Sequence, residues 1–355
     1  MYFSKAKDAN SKMAIRSAAL IVVMLCAFII SSGCKSDSEQ NQKTIKSSQS
    51  TSEEATTTTE TTAHLETIPL DEQIETESKV TSATIETAAS TTEETMAPTS
   101  ETEPTKTTQK ISTIIEAARE TNSIVLSDDK KMEPLLSEIL SITGEMTTYM
   151  SIYYQDLVSG DMISINGDRQ YRSASTAKIF VIMAMYDAVA EGKLNLDQIV
   201  YYTESDYEGG AGVMQNMDLS QGYSLEQLAE YSIIHSDNIA FRMIRRITGW
   251  DRCYEYYESI IGHPTNRVIT HMSAEDAGKL LKHANDSNDQ NMQHMLNMMT
   301  DTEFEYAIPK YLPPKTVANK IGFYSTFFHD AALIYDNKNP YILTIYSDGL
   351  ADNFA

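Results

Sequence analysis

Ser175 and Lys178 stand three residues apart at the start of an apolar run, and Ser236-Asp237-Asn238 follows farther along the chain. A serine hydroxyl attacks a carbonyl poorly until a base takes its proton. In a helix, residues three apart share a face, so Lys178 is placed to be that base. A serine at a helix N-terminus also meets backbone N–H groups and the positive end of the helix dipole, which favour developing negative charge. Ser236 would add a proton relay and Asn238 an amide, both from a second element. These residue types point to acyl transfer through a serine ester. Each residue alone also has an ordinary reading. Lys178 could be a core lysine with a partner, and Ser236 and Asn238 could simply cap a helix.

The surrounding pattern supplies the elements that must hold them. Apolar residues at helical spacing over 131–142 predict a helix that stops at Thr143-Gly144. Segments 147–156 and 161–165 read as paired strands around a Ser159-Gly160 turn. A helix over 176–191 ends at Gly192; its stretch from Ile179 to Met185 is apolar all round and should be buried. A glycine-rich loop covers 206–212. Ser224-Leu225-Glu226-Gln227 has capping-box form and opens a helix to about Ile234. Further helices are expected over 239–247, 251–261, 273–284 and the Met-rich 290–299, whose methionines suit a core or interface better than a metal. Segments 316–321, 330–335 and 341–346 are strand-like. Strands at both ends with helices between them imply an α+β fold, in which one antiparallel sheet is built from both ends of the domain beside a mostly helical lobe.

The beginning of the chain has a different character. Lys5, Lys7, Lys12 and Arg16 form a basic segment before an apolar run over 18–30, the layout of an export signal. Ser31-Ser32-Gly33-Cys34 then resembles a bacterial lipobox, with Ser31 where Leu is usual. This gives residues 1–34 as a signal and Cys34 as a lipidated first residue, on the outer face of a bacterial cell membrane. Residues 35–129 read as a disordered Ser/Thr/Glu-rich tether. Between Lys35 and Lys110 there are 15 acidic and 6 basic residues and no aromatic, too little apolar surface to offset ordering entropy. The formal charge of -22 argues against nucleic-acid binding. Residues 130–355 remain as one domain, large enough for a proper core. Cys253 has no partner within it and reads as a small buried apolar residue. The seven histidines lack ligand spacing, so neither a metal nor a cofactor is implied. The reading expects a monomer that acts on a small-molecule or peptidoglycan-like substrate.

An ordered set of motifs carries a family resemblance. Tyr171-Arg172-Ser173-Ala174-Ser175-Thr176-Ala177-Lys178, Gly192-Lys193-Leu194-Asn195-Leu196-Asp197, Ser236-Asp237-Asn238-Ile239-Ala240, Ile308-Pro309, Lys320-Ile321-Gly322 and His329-Asp330-Ala331 occur in this order. Together they look like class A β-lactamases and related penicillin-interacting serine enzymes. The resemblance implies that Ser175 is the acylated nucleophile and that Lys178 takes its proton. It implies that Ser236 passes a proton to the leaving group, and that Asn238 holds the acyl side chain and bonds Lys178. Lys320 and Gly322 would line the substrate cleft from a strand, with Lys320 adding positive potential. The N–H groups of Ser175 and Phe323 would form the oxyanion hole. Asp237 would pin the loop between helices.

The sequence also departs from that family. Its deacylating Glu sits in a long loop, whereas here 262–270 contains no acid. Glu255, Glu258 and Glu275 flank the segment without replacing that Glu; His263 or His271 could act as a base instead. Ile321 stands where Thr is usual and removes a hydroxyl that would bond a substrate carboxylate. The family closes with a helix for which residues 349–355 are too short. Either the upstream segment from Ile114 to Arg119 covers that face or the chain is truncated. The expected function is an exported serine hydrolase that is acylated by an amide or ester and deacylates slowly. The alternative is a lipoprotein that binds or senses wall fragments or β-lactams without turnover.

Overall fold

In the computed structural model, residues 106–350 are described. The signal, Cys34 and the tether as far as residue 105 lie outside the described residues. Helix α1 spans Lys106–Arg119, strand β1 Ile124–Leu126 and helix α2 Asp129–Thr143. Strands β2 (Met150–Asp156) and β3 (Met162–Ile165) follow, and then the two-residue β4 (Tyr171–Arg172). The central helix α3 is Ala177–Ala190. After β5 (Ile199–Tyr201) and β6 (Gly222–Ser224) come α4 (Leu225–Ile234), α5 (Asn238–Thr248) and α6 (Trp250–Ile261). The chain continues through β7 (His271–Met272), α7 (Ala274–Asp286), α8 (Gln290–Met298), β8 (Val317–Tyr324), β9 (Phe327–Ile334) and β10 (Tyr341–Asp348).

Six strands form one antiparallel sheet in the order β1-β3-β2-β10-β9-β8. The two ends of the domain therefore meet at β2 and β10, where Ile152 lies opposite Ile345. Side chains alternate across the sheet. Ile152, Tyr154, Leu343 and Ile345 face an outer layer built by α1 and α2, with Leu135, Leu136 and Ile139. Tyr153, Ala331, Leu333 and Ile342 face the helical lobe. Every residue from Ile179 to Met185 is fully buried in that lobe. Removing each such Ile, Val, Phe or Met side chain from water contributes about 1.5–3 kcal/mol. Cys253 is buried there as well, and burial pushes its thiol up to about 12.

The expected elements are present with shifted ends; residues 147–149, expected in a strand, close a 3-10 turn over Gly144–Tyr149 before β2. Ser224 and Ser273 each close a capping box, with Gln227 and Asp276 respectively. Strands β8 and β9 run past the expected ends and meet in a tight turn at Ser325 and Thr326. Ser325 takes the left-handed φ of 55° that this turn requires. The tether boundary at residue 129 is corrected. Residues 106–126 belong to the folded unit, because Ile111, Ile114, Ile115 and Ala118 repeat at helical spacing and pack into the outer core. The Thr-rich setting of these residues hid that stripe. The segment from Ile114 to Arg119 thus packs in the outer layer.

Candidate active site

Ser175 sits on a short 3-10 turn, Ala174–Thr176, that runs directly into α3. Ala174 holds a left-handed φ of 46°. Such a conformation is costly for a residue with a Cβ, and it persists only where the surroundings enforce it. The surroundings here are β8 and the loop before β7. Ser173 N donates to Thr270 O at 3.0 Å. A Cβ on Gly322 would lie 2.8 Å from Ser173 O and 3.3 Å from Ala174 Cβ, so only glycine lets β8 approach the turn.

Lys178 is 2% exposed and donates to three groups. Its Nζ lies 2.9 Å from Ser175 Oγ, 2.8 Å from Asn238 Oδ1 and 3.4 Å from Ser236 Oγ. Burial lowers its proton affinity to about 7, despite the opposing charges of Glu208 and Asp237. Near neutrality a substantial share of Lys178 is therefore an unprotonated amine. Ser236 Oγ accepts a second bond, from Lys320 Nζ at 2.8 Å, and so bridges the two lysines. Lys320 is completely buried, and burial and the charge of Lys178 hold its proton affinity well below the usual value.

The second element is held as firmly. Ser236 has a φ of 53°. Asp237 caps α5 through Ala240 N at 2.9 Å and accepts from Met214 N at 2.7 Å. This fixes the glycine-rich loop, where a Cβ on Gly212 would strike Asp237 at 2.2 Å. Asn238 donates to Gly209 O at 3.0 Å, which orients its amide with Oδ1 toward Lys178.

These groups floor a cleft of about 500 Å³ lined by Ser175, Lys178, Asn238, Phe241, Val268, Thr270 and Phe323, among others. Ser175, Lys178, Ser236, Asn238 and Lys320 converge as expected. Phe323 lines the cleft and is 64% exposed, on the edge strand of the sheet. Two assignments change. Lys320, Gly322 and Ser236 are not among the lining residues: Lys320 is fully buried and bonds Ser236 beneath the cleft, and Gly322 acts by close packing. Ile321 points to the opposite face of β8 and is buried with the outer layer, so it is a packing residue.

Residues 134–354 match the beta-lactamase enzyme family. The chain belongs to that family. It is accordingly a serine hydrolase of the β-lactamase or D,D-peptidase type. Solved structures share the fold. A PBP-A variant in an acyl-enzyme complex with penicillin-G is 20% identical, covers 68% of this chain and 88% of its own, and superposes with a TM-score of 0.54. A beta-lactamase from Sphaerobacter thermophilus is 21% identical over 60% of this chain and 87% of its own, with a TM-score of 0.55. A beta lactamase from Burkholderia vietnamiensis is 19% identical over 59% and 86%, at 0.54. No curated protein matches the sequence significantly.

None of the bases considered from this β-lactamase family member's sequence lines the cleft. His263 Nε2 lies 2.9 Å from Asp276 Oδ1, and His271 sits in β7 opposite Arg172. Glu258 is engaged by Arg267, and Glu275 by Lys279. The acid that does line the cleft is Glu208, from the glycine-rich loop, and it accepts from Arg242 at 3.0 Å. Sequence reasoning missed Glu208, and it missed Arg172, Arg242 and Arg245 along the same cleft. The arginines on α5 could have been found by counting from Asn238 at helical spacing.

Proposed function

We propose that the protein is an exported, lipid-anchored enzyme that forms an ester at Ser175 with an amide or ester substrate, a β-lactam or a peptidoglycan-like peptide. The observation that carries this is the 2.9 Å bond between Lys178 Nζ and Ser175 Oγ, made by a lysine that is partly neutral near pH 7. Neutral Lys178 takes the Ser175 proton as Oγ attacks the carbonyl carbon. The oxyanion is held by the N–H groups of Ser175 and Phe323; one such donor typically lowers the barrier by about 3–4 kcal/mol. As the carbonyl carbon–nitrogen bond breaks, Lys178 passes its proton through Ser236 to the leaving nitrogen. Ser236 suits this relay because its oxygen accepts from both lysines, which leaves its own hydrogen free to point at the substrate.

Hydrolysis of the ester is slow in this reading. The loop over 262–270 carries no acid, and Glu208 is tied to Arg242. A member of the same fold is described as an acyl-enzyme complex with penicillin-G, which supports β-lactams as probes. Cys34 would anchor the enzyme outside the cell, and the acidic Thr-rich stretch would hold the domain off the membrane. Radiolabelled palmitate incorporated by the wild type and not by Cys34→Ala would test the anchor. For the chemistry, the chain lacking residues 1–34 is treated with a fluorescent penicillin. A stable label that Ser175→Ala abolishes is expected; label retained in Ser175→Ala sinks the assignment.

A further inference from the structure

The face of α5 that lines the cleft continues beyond Asn238 through Phe241 and Arg242 to Arg245. The three arginines of α5 differ in their partners. Arg246 is paired with Asp206 and Arg242 with Glu208, but among the described residues no acid pairs with Arg245. Its guanidinium is instead braced by rings, 4.6 Å from the centre of Trp250 and 6.0 Å from that of Phe241. It is partly withdrawn from water, and this burial together with the charge of Arg242 works against its proton. Glu208 lines the same cleft and its charge favours the Arg245 proton, but it is bonded to Arg242 and not to Arg245, so the half-buried guanidinium still gains from a second anion. The rings fix its planar fork, so little further ordering is needed to bind a carboxylate through two parallel bonds.

Geometry says where that carboxylate would sit. Seven residues of helix rise about 10 Å. The guanidinium lies closer to Trp250 than to Phe241, and it lines the same cleft as Asn238, about two helical turns along α5. The family resemblance implies that Asn238 holds the acyl side chain, so on that reading this end of the cleft belongs to the acyl half of a substrate attacked at Ser175. We propose that Arg245 is a specificity residue that receives a second carboxylate, carried at the far end of the acyl side chain. This rests on the acyl-transfer reading of the site. The preferred substrates are then amides or lactams whose acyl group is a flexible chain ending in an acid.

The test uses two cephalosporins that differ in one group, with an adipoyl side chain in one and its neutral terminal amide, adipamoyl, in the other. Full-length protein in detergent is acylated by each, and the rates are read by intact mass. The adipoyl compound is expected to react roughly tenfold faster, the effect of one charged hydrogen-bonded contact. That ratio should shrink at high salt and vanish in Arg245→Gln. Equal rates in the wild type, or a ratio that Arg245→Gln leaves intact, overturn the proposal. Both compounds are also titrated into Ser175→Ala protein, where binding proceeds without chemistry. Tighter binding of the adipoyl compound, lost when Arg245→Gln is added, supports the subsite; equal binding overturns it. Selective binding with no acylation of the wild type by either compound would keep the subsite and sink the acyl-transfer reading.

Discussion

The wall of the cleft that carries Ser175 and the loop that faces it, residues 262–270, are built differently. On the first, Lys178, Ser236, Lys320 and Asn238 are tied to one another by bonds of 2.8 to 3.4 Å and are largely withdrawn from water. On the second, Val268 is 94% exposed and Asn266 accepts from Val268 N and Ile269 N of its own turn, while His263 and Arg267 bond Asp276 and Glu258, which do not line the cleft. The acylating groups are held by contacts from several elements at once, so their positions are over-determined. The loop side offers Val268, Ile269 and Thr270 to the cleft, and none of its lining residues carries a carboxylate or an imidazole. The difference separates making the ester from breaking it. On the proposed reading a hydrolase needs both, and the positioned residues serve the first.

The comparison breaks most completely at the base. Lys178→Ala should lower the acylation rate by about three orders of magnitude, the range for a positioned general base, measured by stopped-flow with a chromogenic cephalosporin. A loss below tenfold would mean that another group activates Ser175. Gly322→Ala comes next. Its new Cβ meets Ser173 O and must push the nucleophile turn away from β8. A displacement of this kind costs on the order of a hundredfold. Acylation at the wild-type rate, in a variant with unchanged melting temperature, would contradict the packing account.

The loop can be altered from the other side. Ile269→Glu places a carboxylate among the cleft-lining residues, and the ester on Ser175 should hydrolyse about tenfold faster, the modest gain of an unoptimised base. The half-life of the acyl-enzyme by intact mass checks this. The smallest effect concerns pH. Acylation needs neutral Lys178, so its rate should rise with pH and reach half its maximum near about 7. The negative charge of Glu208 raises that midpoint. Glu208→Gln removes the charge and should therefore move the midpoint down, by a fraction of a pH unit given how exposed Glu208 is.

Much of the acylating wall could be read from the residues. Ser175 and Lys178 share a face because of their spacing, and the apolar run behind them could only be a buried helix. What the residues could not give is the third dimension. Nothing in a serine's identity shows that Ser236 takes a left-handed φ or stands between two lysines. The two faces of β8 were equally hidden: Lys320 and Ile321 are adjacent in sequence but point to opposite sides, so Ile321 looked like a lost substrate contact when it is core. Helix α1 was missed for a different reason. Its apolar stripe is one of four positions in a Thr-rich segment, too weak a signal until the outer face of α2 is there to receive it. Glu208 comes from a loop that the motifs do not mention and Arg245 lies past the motif residues of α5, and their meaning depends on which side of a helix or loop meets the cleft.

The most direct test of the separation is a rapid-quench time course. The chain lacking residues 1–34 is mixed with excess chromogenic cephalosporin, and colour release and intact mass are followed together. The account predicts a fast burst of one equivalent, matched by an adduct on Ser175, and then a much slower steady phase. Sustained fast turnover without a burst, with no adduct trapped at any time, would show that the ester is broken as readily as it is made and would contradict it.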